Sequence, residues 1–249
     1  MIRNSTSSSP FNSFLMSKLP LEKRILFEDN HLIVVNKLPS EIVQGDKTGD
    51  EPLSEALKKY LKEKYHKPGN VFLGVVHRLD RPVSGVVVFA KTGKALSRMN
   101  ELVKQREMQK TYWAVVKNGP PQKKGMLVHY LRRDQKKNKS FVSRKPGKES
   151  KEAILNYELL ASGEHYHLLE IDLLTGRHHQ IRAQLAAIGC PVKGDLKYGF
   201  PRSNPDASIS LHARKVSFVH PVKKEKLEIT ADPPHDVLWD YFLKEINTK

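Results

Sequence analysis

The stretch VVHRLDRPVSGVVVFA, residues 75–90, places several ionisable side chains between two runs of apolar residues. The run GVVVFA predicts a buried strand, and Asp80 lies at its rim with Arg78 and Arg81 as near neighbours. A carboxylate in this position needs a cation to remain ionised, because burial alone raises its pKa. Two interpretations stay open: an ion pair that holds a turn, or a pocket carboxylate kept charged for chemistry.

The composition indicates a folded protein with a polyanionic partner. The chain has 249 residues, which is enough to bury a core without disulfides or metal. Lysine and arginine number 43 against 27 acids, and this excess favours nucleic acid over a merely solvated basic surface. The single cysteine, Cys190, excludes an intramolecular disulfide and a cysteine-rich zinc site. No apolar run could span a bilayer, so we expect a soluble protein without a membrane partner. The single cysteine fits a reducing compartment, and we therefore expect the cytoplasm.

The N-terminal residues 1–20 are expected to form a disordered or non-native tail, and residues 21–249 to form one folded domain. The first 18 residues are rich in serine, contain no acid and lack the apolar core of a signal peptide. A transit peptide and a translation start at Met16 remain open alternatives.

Hydrophobic periodicity predicts a mixture of strands and helices. ILFE and LIVVN predict two strands with a turn at residues 29–30, and TYWAVV and YHLLEIDLL predict two more. Helical spacing predicts helices through residues 53–61 and about 94–106, and HQIRAQLAAIG predicts a helix closed by Gly189. Strands and helices do not alternate regularly, which favours an α+β fold over a doubly wound sheet.

Several familiar sites are missing from the sequence. It has no phosphate-binding loop, no nucleophile elbow and no dinucleotide-binding fingerprint. The histidines at positions 165 and 167 and at 178 and 179 come without the acidic or thiol partners that zinc normally needs, so no metal site is expected.

Five elements, in order along the chain, resemble the RluA-type pseudouridine synthases. HRLDRPVSG resembles the HRLDxxTSG motif of that family, KTYWAVV from Lys110 its second motif, and LLTGRHHQIRAQLAAIGCPVKGDLKYG from Leu173 its third. ILFEDNHLIVVNK and LHARKVSFVHP are similar to its opening and closing segments. The resemblance covers about residues 25–232. Departures from the pattern, such as Val83 in place of threonine, leave the residues that match the active site unchanged.

The resemblance implies an RNA pseudouridine synthase that isomerises specific uridines in ribosomal or transfer RNA without cofactor or metal. It also implies a mixed, mostly antiparallel sheet with flanking helices and a central cleft. Asp80 matches the essential aspartate, which either attacks the nucleoside or removes a ribose proton. Tyr112 matches a tyrosine that packs on the uracil and has been assigned proton removal from carbon 5, and Arg182 matches the arginine that pairs with the aspartate.

The same resemblance implies contacts with RNA. Arg78 matches an arginine that enters the stack where the target nucleotide has left. Further contacts to ribose, phosphate or RNA backbone are expected from Arg177, His179, Gln180, Lys37 and the basic segment 132–151, an expected exposed hairpin or loop.

The expected partner is structured RNA, with no obligatory protein partner, and the expected state is a monomer. The small RNA-binding domain that many relatives carry upstream is expected to be missing. Two other classes stay open: a non-catalytic RNA-binding or RNA-folding protein on the same fold, and a carboxylate-dependent nuclease. The nuclease is disfavoured because it would usually need clustered acids for magnesium.

Overall fold

The computed structural model describes residues 19–46 and 48–248, in which eleven strands form one sheet. Residues 1–18 of the expected tail lie outside this range. The strands are β1 (Ile25–Glu28), β2 (Leu32–Lys37), β3 (Gly74–Val75), β4 (Ser84–Ala90), β5 (Gln109–Val116), β6 (Lys124–Asp134), β7 (Lys139–Ser143), β8 (Lys151–Ser162), β9 (His167–Leu173), β10 (Leu211–Val219) and β11 (Lys226–Thr230). The helices are α1 (Leu53–Lys64), α2 (Gly93–Lys104), α3 (Gln180–Ala187) and α4 (Val237–Asn247).

The sheet follows the order β1-β2-β4-β10-β5-β9-β8-β6-β7, with β3 added to β4 and β11 added to β10. Among the described strands, pairing is antiparallel everywhere except between β4 and β10. The expected α+β fold with a mixed, mostly antiparallel sheet is therefore confirmed. None of the helices in the described ranges is long and apolar enough to cross a membrane.

Local sequence accounts for most of these boundaries. The turn between β1 and β2 forms because the Asp29 carboxylate accepts the backbone N–H groups of His31 and Leu32, both at 2.8 Å. Gly189 follows α3 with a φ of 81°, a left-handed conformation that glycine adopts without steric cost. The basic segment forms the predicted hairpin, β6 and β7, and the loop that leads into β8.

Alternating side chains bury both faces of the central strands. On β4, Val88 packs with Met99 of α2, and Phe89 packs on the opposite face with Leu57 of α1. Successive residues of β5 alternate in the same way, so that one set packs against α3 and the other set against α4. Four helices thus cover a sheet whose middle strands are buried on both sides.

The parallel junction between β4 and β10 holds the segment that follows Asp80. Gly85 has a φ of 116°, and a Cβ atom there would lie 2.5 Å from the backbone nitrogen of Ala213, so only glycine fits. The buried Ser84 hydroxyl lies 2.8 Å from Nδ1 of His212, whose Nε2 lies 3.0 Å from the carbonyl of Ala231. Nε2 must donate to that carbonyl, and Nδ1 therefore accepts from Ser84.

Candidate active site

A cleft opens between the end of α2 and the segment that leads into α3. Its walls come from residues 76–83, from the first half of β5 and from residues 173–182. Its volume is about 1520 Å³, which exceeds the roughly 300–1,000 Å³ of a typical small-molecule site. A cleft of this size can accept a segment of a polymer.

The cleft brings together two side chains that are 102 residues apart in the sequence. Nη1 of Arg182 donates a hydrogen bond of 2.8 Å to Oδ2 of Asp80. Arg182 is 5% exposed, whereas the Asp80 side chain is 32% exposed and faces the cleft. Arg182 thus holds the Asp80 carboxylate from the protein interior, and the carboxylate is open to the cleft.

Asp195, which the sequence analysis did not single out, holds the same guanidinium group from behind. It accepts Nε of Arg182 at 2.6 Å and Nη2 at 2.9 Å, and it is only 1% exposed. A two-point bond fixes the plane of the guanidinium group and so aims Nη1 at Asp80. The only signal in the sequence was the position of Asp195 inside the third quoted motif.

The electrostatics of the cleft keep Asp80 ionised. Burial raises the pKa of this carboxyl, but the neighbouring His179 ring and the Arg182 guanidinium group outweigh it and leave the pKa below its usual value. Burial also lowers the pKa of His179 to about 3 despite its proximity to Asp80, so this ring is neutral at pH 7. Arg182 is therefore the permanent cation that stabilises the carboxylate, and Asp195 and Asp80 together hold its pKa above the ordinary value in spite of burial.

His179 is fixed by a chain of hydrogen bonds that begins on the basic hairpin. The backbone N–H of Ser140 donates to the hydroxyl of Tyr198 at 2.8 Å, so the hydroxyl proton of Tyr198 is free to go to Nδ1 of His179, 3.0 Å away. Nε2 of His179 then carries the ring proton and lies 3.4 Å from Oδ2 of Asp80. The geometry therefore makes His179 a support for Asp80, with both ring nitrogens directed at groups of the protein.

Tyr112 lies on β5 and lines the cleft with Asp80. Burial, with a further contribution from the Asp80 charge, raises the pKa of its phenol above the usual value. The side chain is consequently a neutral phenol at pH 7, a ring with a hydroxyl rather than a phenolate.

Two residues predicted to contact RNA are buried in the protein. Lys37 is fully buried, and its Nζ donates to the carbonyl oxygens of Leu38, Arg81 and Val83 at 2.6–3.1 Å. The prediction that it binds the RNA backbone is wrong, because its ammonium group cannot reach solvent. Burial lowers its pKa to about 7, and three carbonyl acceptors match the three N–H donors of the charged form.

Gln180 is also removed from the cleft surface, with 3% of the residue exposed. Its amide oxygen accepts the Thr175 hydroxyl at 2.8 Å and the Arg177 N–H at 3.0 Å, and its amide nitrogen donates to the Ile154 carbonyl. The prediction of an RNA contact is replaced by a structural role, because these bonds shape the loop at the start of α3.

Arg78 and Arg177 line the cleft and remain candidates for RNA contact. Arg78 is exposed and makes no hydrogen bond or ion pair within residues 19–46 and 48–248. Arg177 uses Nε to bind the carbonyl of Glu152 at 2.9 Å, and the rest of its guanidinium group has no such bond in the described part of the chain. In that same part, no cluster of three or more His, Cys, Asp or Glu side chains is placed to hold a metal ion.

Comparison with known proteins decides the family. Residues 31–187 match the family model described as RNA pseudouridylate synthase. The chain belongs to this family. It is an isomerase that acts on RNA, an RNA pseudouridine synthase, and the RluA-type resemblance inferred from the sequence is confirmed.

Relatives of this chain come from several bacteria. It is 30% identical to the ribosomal large subunit pseudouridine synthase C of Buchnera aphidicola, over 89% of this chain and 70% of that one. It is 31% identical to the tRNA pseudouridine synthase C of Vibrio parahaemolyticus, over 85% of this chain and 91% of that one. Among solved structures, human RNA pseudouridylate synthase domain containing 4 is similar with a TM-score of 0.74 and 24% identity, over 95% of this chain and 97% of that one, which supports the fold.

Proposed function

We propose that Asp80 is the essential catalytic residue with which this enzyme isomerises specific uridines in ribosomal or transfer RNA. The observation that carries the proposal is the 2.8 Å bond from Arg182 to Asp80 at the wall of an open cleft. It gives a carboxylate that is charged at neutral pH, accessible from one side and fixed in position. The names of the Buchnera and Vibrio relatives support ribosomal and transfer RNA as the substrate classes.

The reaction breaks the bond between N1 of uracil and C1′ of ribose and forms a bond between C5 and C1′. The hydrogen on C5 is lost and N1 ends protonated, so atoms and charge balance without an external reactant. Asp80 can act as a nucleophile or as a base that removes a ribose proton, and both routes need the ionised carboxylate. Arg182 keeps the carboxylate in that form in a partly dry cleft.

The roles of Tyr112 and Arg78 are assigned from their ionisation state and their freedom from other contacts. We assign Tyr112 to packing against the uracil, because its raised pKa makes a phenolate scarce and so disfavours proton removal by this group alone. We assign Arg78 to the space that the flipped nucleotide leaves, because a free guanidinium group can stack on bases and bind phosphate.

We also propose that residues 21–249 act as one catalytic domain and as a cytoplasmic monomer. One continuous sheet runs through the described part of the domain, and the side chains of the proposed site line one cleft in it. Light scattering during gel filtration at micromolar protein concentration should give the mass of one chain.

The test compares two substitutions of the same chemical kind. Ribosomal and transfer RNA from cells that lack this protein are incubated with the wild-type chain, with Asp80→Asn or with Asp232→Asn, and pseudouridine is measured by mass spectrometry. Asp232 has 85% of its side chain exposed outside the cleft, so its variant should match the wild-type chain. Asp80→Asn should lose at least about a thousandfold in rate. Conversion by Asp80→Asn within tenfold of wild type would remove Asp80 from the mechanism.

A further inference from the structure

A lysine in the cleft has no partner in the described protein. Lys110 lies two residues before Tyr112 on β5, so the two side chains project from the same face of the strand. Lys110 is half-buried and lines the cleft, yet its ammonium group makes no hydrogen bond or ion pair with any residue in 19–46 or 48–248. Burial lowers its pKa below the usual value, as expected for a charge without a counterion.

His77 presents a second donor without an acceptor. Its Nε2 accepts the backbone N–H of Val88 at 3.2 Å, so the proton of the neutral ring is on Nδ1. Burial, followed by the charge of Lys110, lowers the pKa of His77 to about 3. Nδ1 has no hydrogen-bond partner among the described residues, and His77 lines the same cleft.

The backbone beside these donors is open. A Cβ atom added to Gly176 would lie at an ordinary van der Waals distance, 3.8 Å, from Nζ of Lys110, so the glycine backbone lies beside this ammonium group. The other buried cations of this region are already bound. Arg182 is bonded to two carboxylates and Lys37 to three carbonyls, so neither can meet an incoming phosphate.

We propose that Lys110 and His77 form a phosphate-binding pair that holds one backbone phosphate of the RNA in the cleft, near the target uridine. The inference rests on the proposed function and names the contact that positions the substrate. One cation and one neutral donor, both unpaired and both facing the cleft, suit an anion with several acceptor oxygens. Lys110 makes no hydrogen bond or ion pair with Asp80, so the cation proposed for phosphate is distinct from Arg182, which holds the carboxylate.

The test measures RNA affinity against salt concentration. Binding of labelled transfer RNA and labelled ribosomal RNA fragments is followed by fluorescence anisotropy in the Asp80→Asn background, so that no turnover is required. Lys110→Met should weaken binding about tenfold at 0.1 M salt and reduce the slope of log K against log salt by about 0.7–0.9, the effect of one lost phosphate contact. Lys110→Arg should restore the slope of log K against log salt. His77→Gln should weaken RNA binding but leave that slope unchanged, because it removes no charge.

Lys58→Met is the matched control, because Lys58 lies on α1 outside the cleft and its replacement should leave the slope unchanged.

In a second arm, inorganic phosphate is added at constant ionic strength and the melting temperature is followed. A phosphate effect on the wild-type chain, with an unchanged RNA slope for Lys110→Met, would assign the pair to free phosphate and overturn the proposal. Unchanged RNA binding in a folded Lys110→Met, or in Lys110→Gln if methionine is not tolerated, would also overturn it. Absence of pseudouridine formation by the wild-type chain would instead refute the proposed function, and the binding arm would still report on Lys110.

Discussion

Replacing Asp195 should destabilise the protein more than replacing Asp80, the proposed catalytic residue. Asp195 is 1% exposed and receives two bonds from Arg182, at 2.6 and 2.9 Å. Hydrogen bonds to charged groups contribute about 1.5–3 kcal/mol each, and breaking a buried ion pair typically costs about 3–5 kcal/mol. Asp195→Asn should therefore lower the free energy of unfolding by about 3–5 kcal/mol.

Asp80→Asn should lower the free energy of unfolding much less than Asp195→Asn. It takes away one charged bond at a side chain that is 32% exposed, and Arg182 keeps its two bonds to Asp195. We expect a loss of about 1 kcal/mol or less, since exposure weakens such pairs. The Asp80→Asn variant should thus be nearly as stable as the wild-type chain.

Urea unfolding at pH 7, followed by the fluorescence of the buried Trp113 and Trp239, measures the loss of unfolding free energy in each variant. Asp195→Asn should also lower kcat, because Arg182 is no longer held in the plane that aims Nη1 at Asp80. Equal losses of stability in the Asp80 and Asp195 variants would refute the claim that Asp195 is the main anchor of the guanidinium group. Asp232→Asn should change neither stability nor rate.

Three further substitutions test backbone and side-chain contacts near the segment that carries Asp80. Ser40 is exposed with a φ of 71°, so Ser40→Gly should stabilise the protein by about 0.5–1 kcal/mol, and a lower melting temperature would contradict the strain argument. Gly85→Ala should cost about 3 kcal/mol or more in urea unfolding because its Cβ would clash with Ala213, and a wild-type midpoint would show that the junction can move apart. Lys37→Met leaves three carbonyls without their donor and should cost about 2 kcal/mol or more. The pKa of Lys37 is about 7 in the folded protein and 10.5 in the unfolded chain, so the contribution of Lys37 to stability rises with pH between these two values. The loss of unfolding free energy in Lys37→Met should therefore be larger at pH 9 than at pH 6.5. A larger loss at pH 6.5 would contradict this argument.

The sequence predicted the parts of the fold that depend on local pattern. Turn residues and periodicity located β1, β2, α1, α2 and α3. The stretch around Asp80 indicated a carboxylate that needs a cation, and the family resemblance assigned that cation to Arg182. Asp195 escaped notice because nothing local distinguishes a buried acid that binds a distant arginine from a surface acid. Lys37 was misassigned for a related reason. In the sequence it counts as a positive charge, and only the folded chain encloses it with carbonyl oxygens.

The distribution of charge explains why catalysis and RNA binding should use different cations. Asp80, Arg182 and Asp195 together carry one net negative charge, because His179 is neutral at pH 7. This cluster repels a phosphate and leaves the neutral uracil as the part of the nucleotide best suited to approach Asp80. A separate cation is better suited to hold the phosphate, and the proposal assigns this role to Lys110, which lines the same cleft. Under the two proposals, this arrangement would orient a flipped nucleotide with its base toward the carboxylate and its backbone toward the basic side of the cleft.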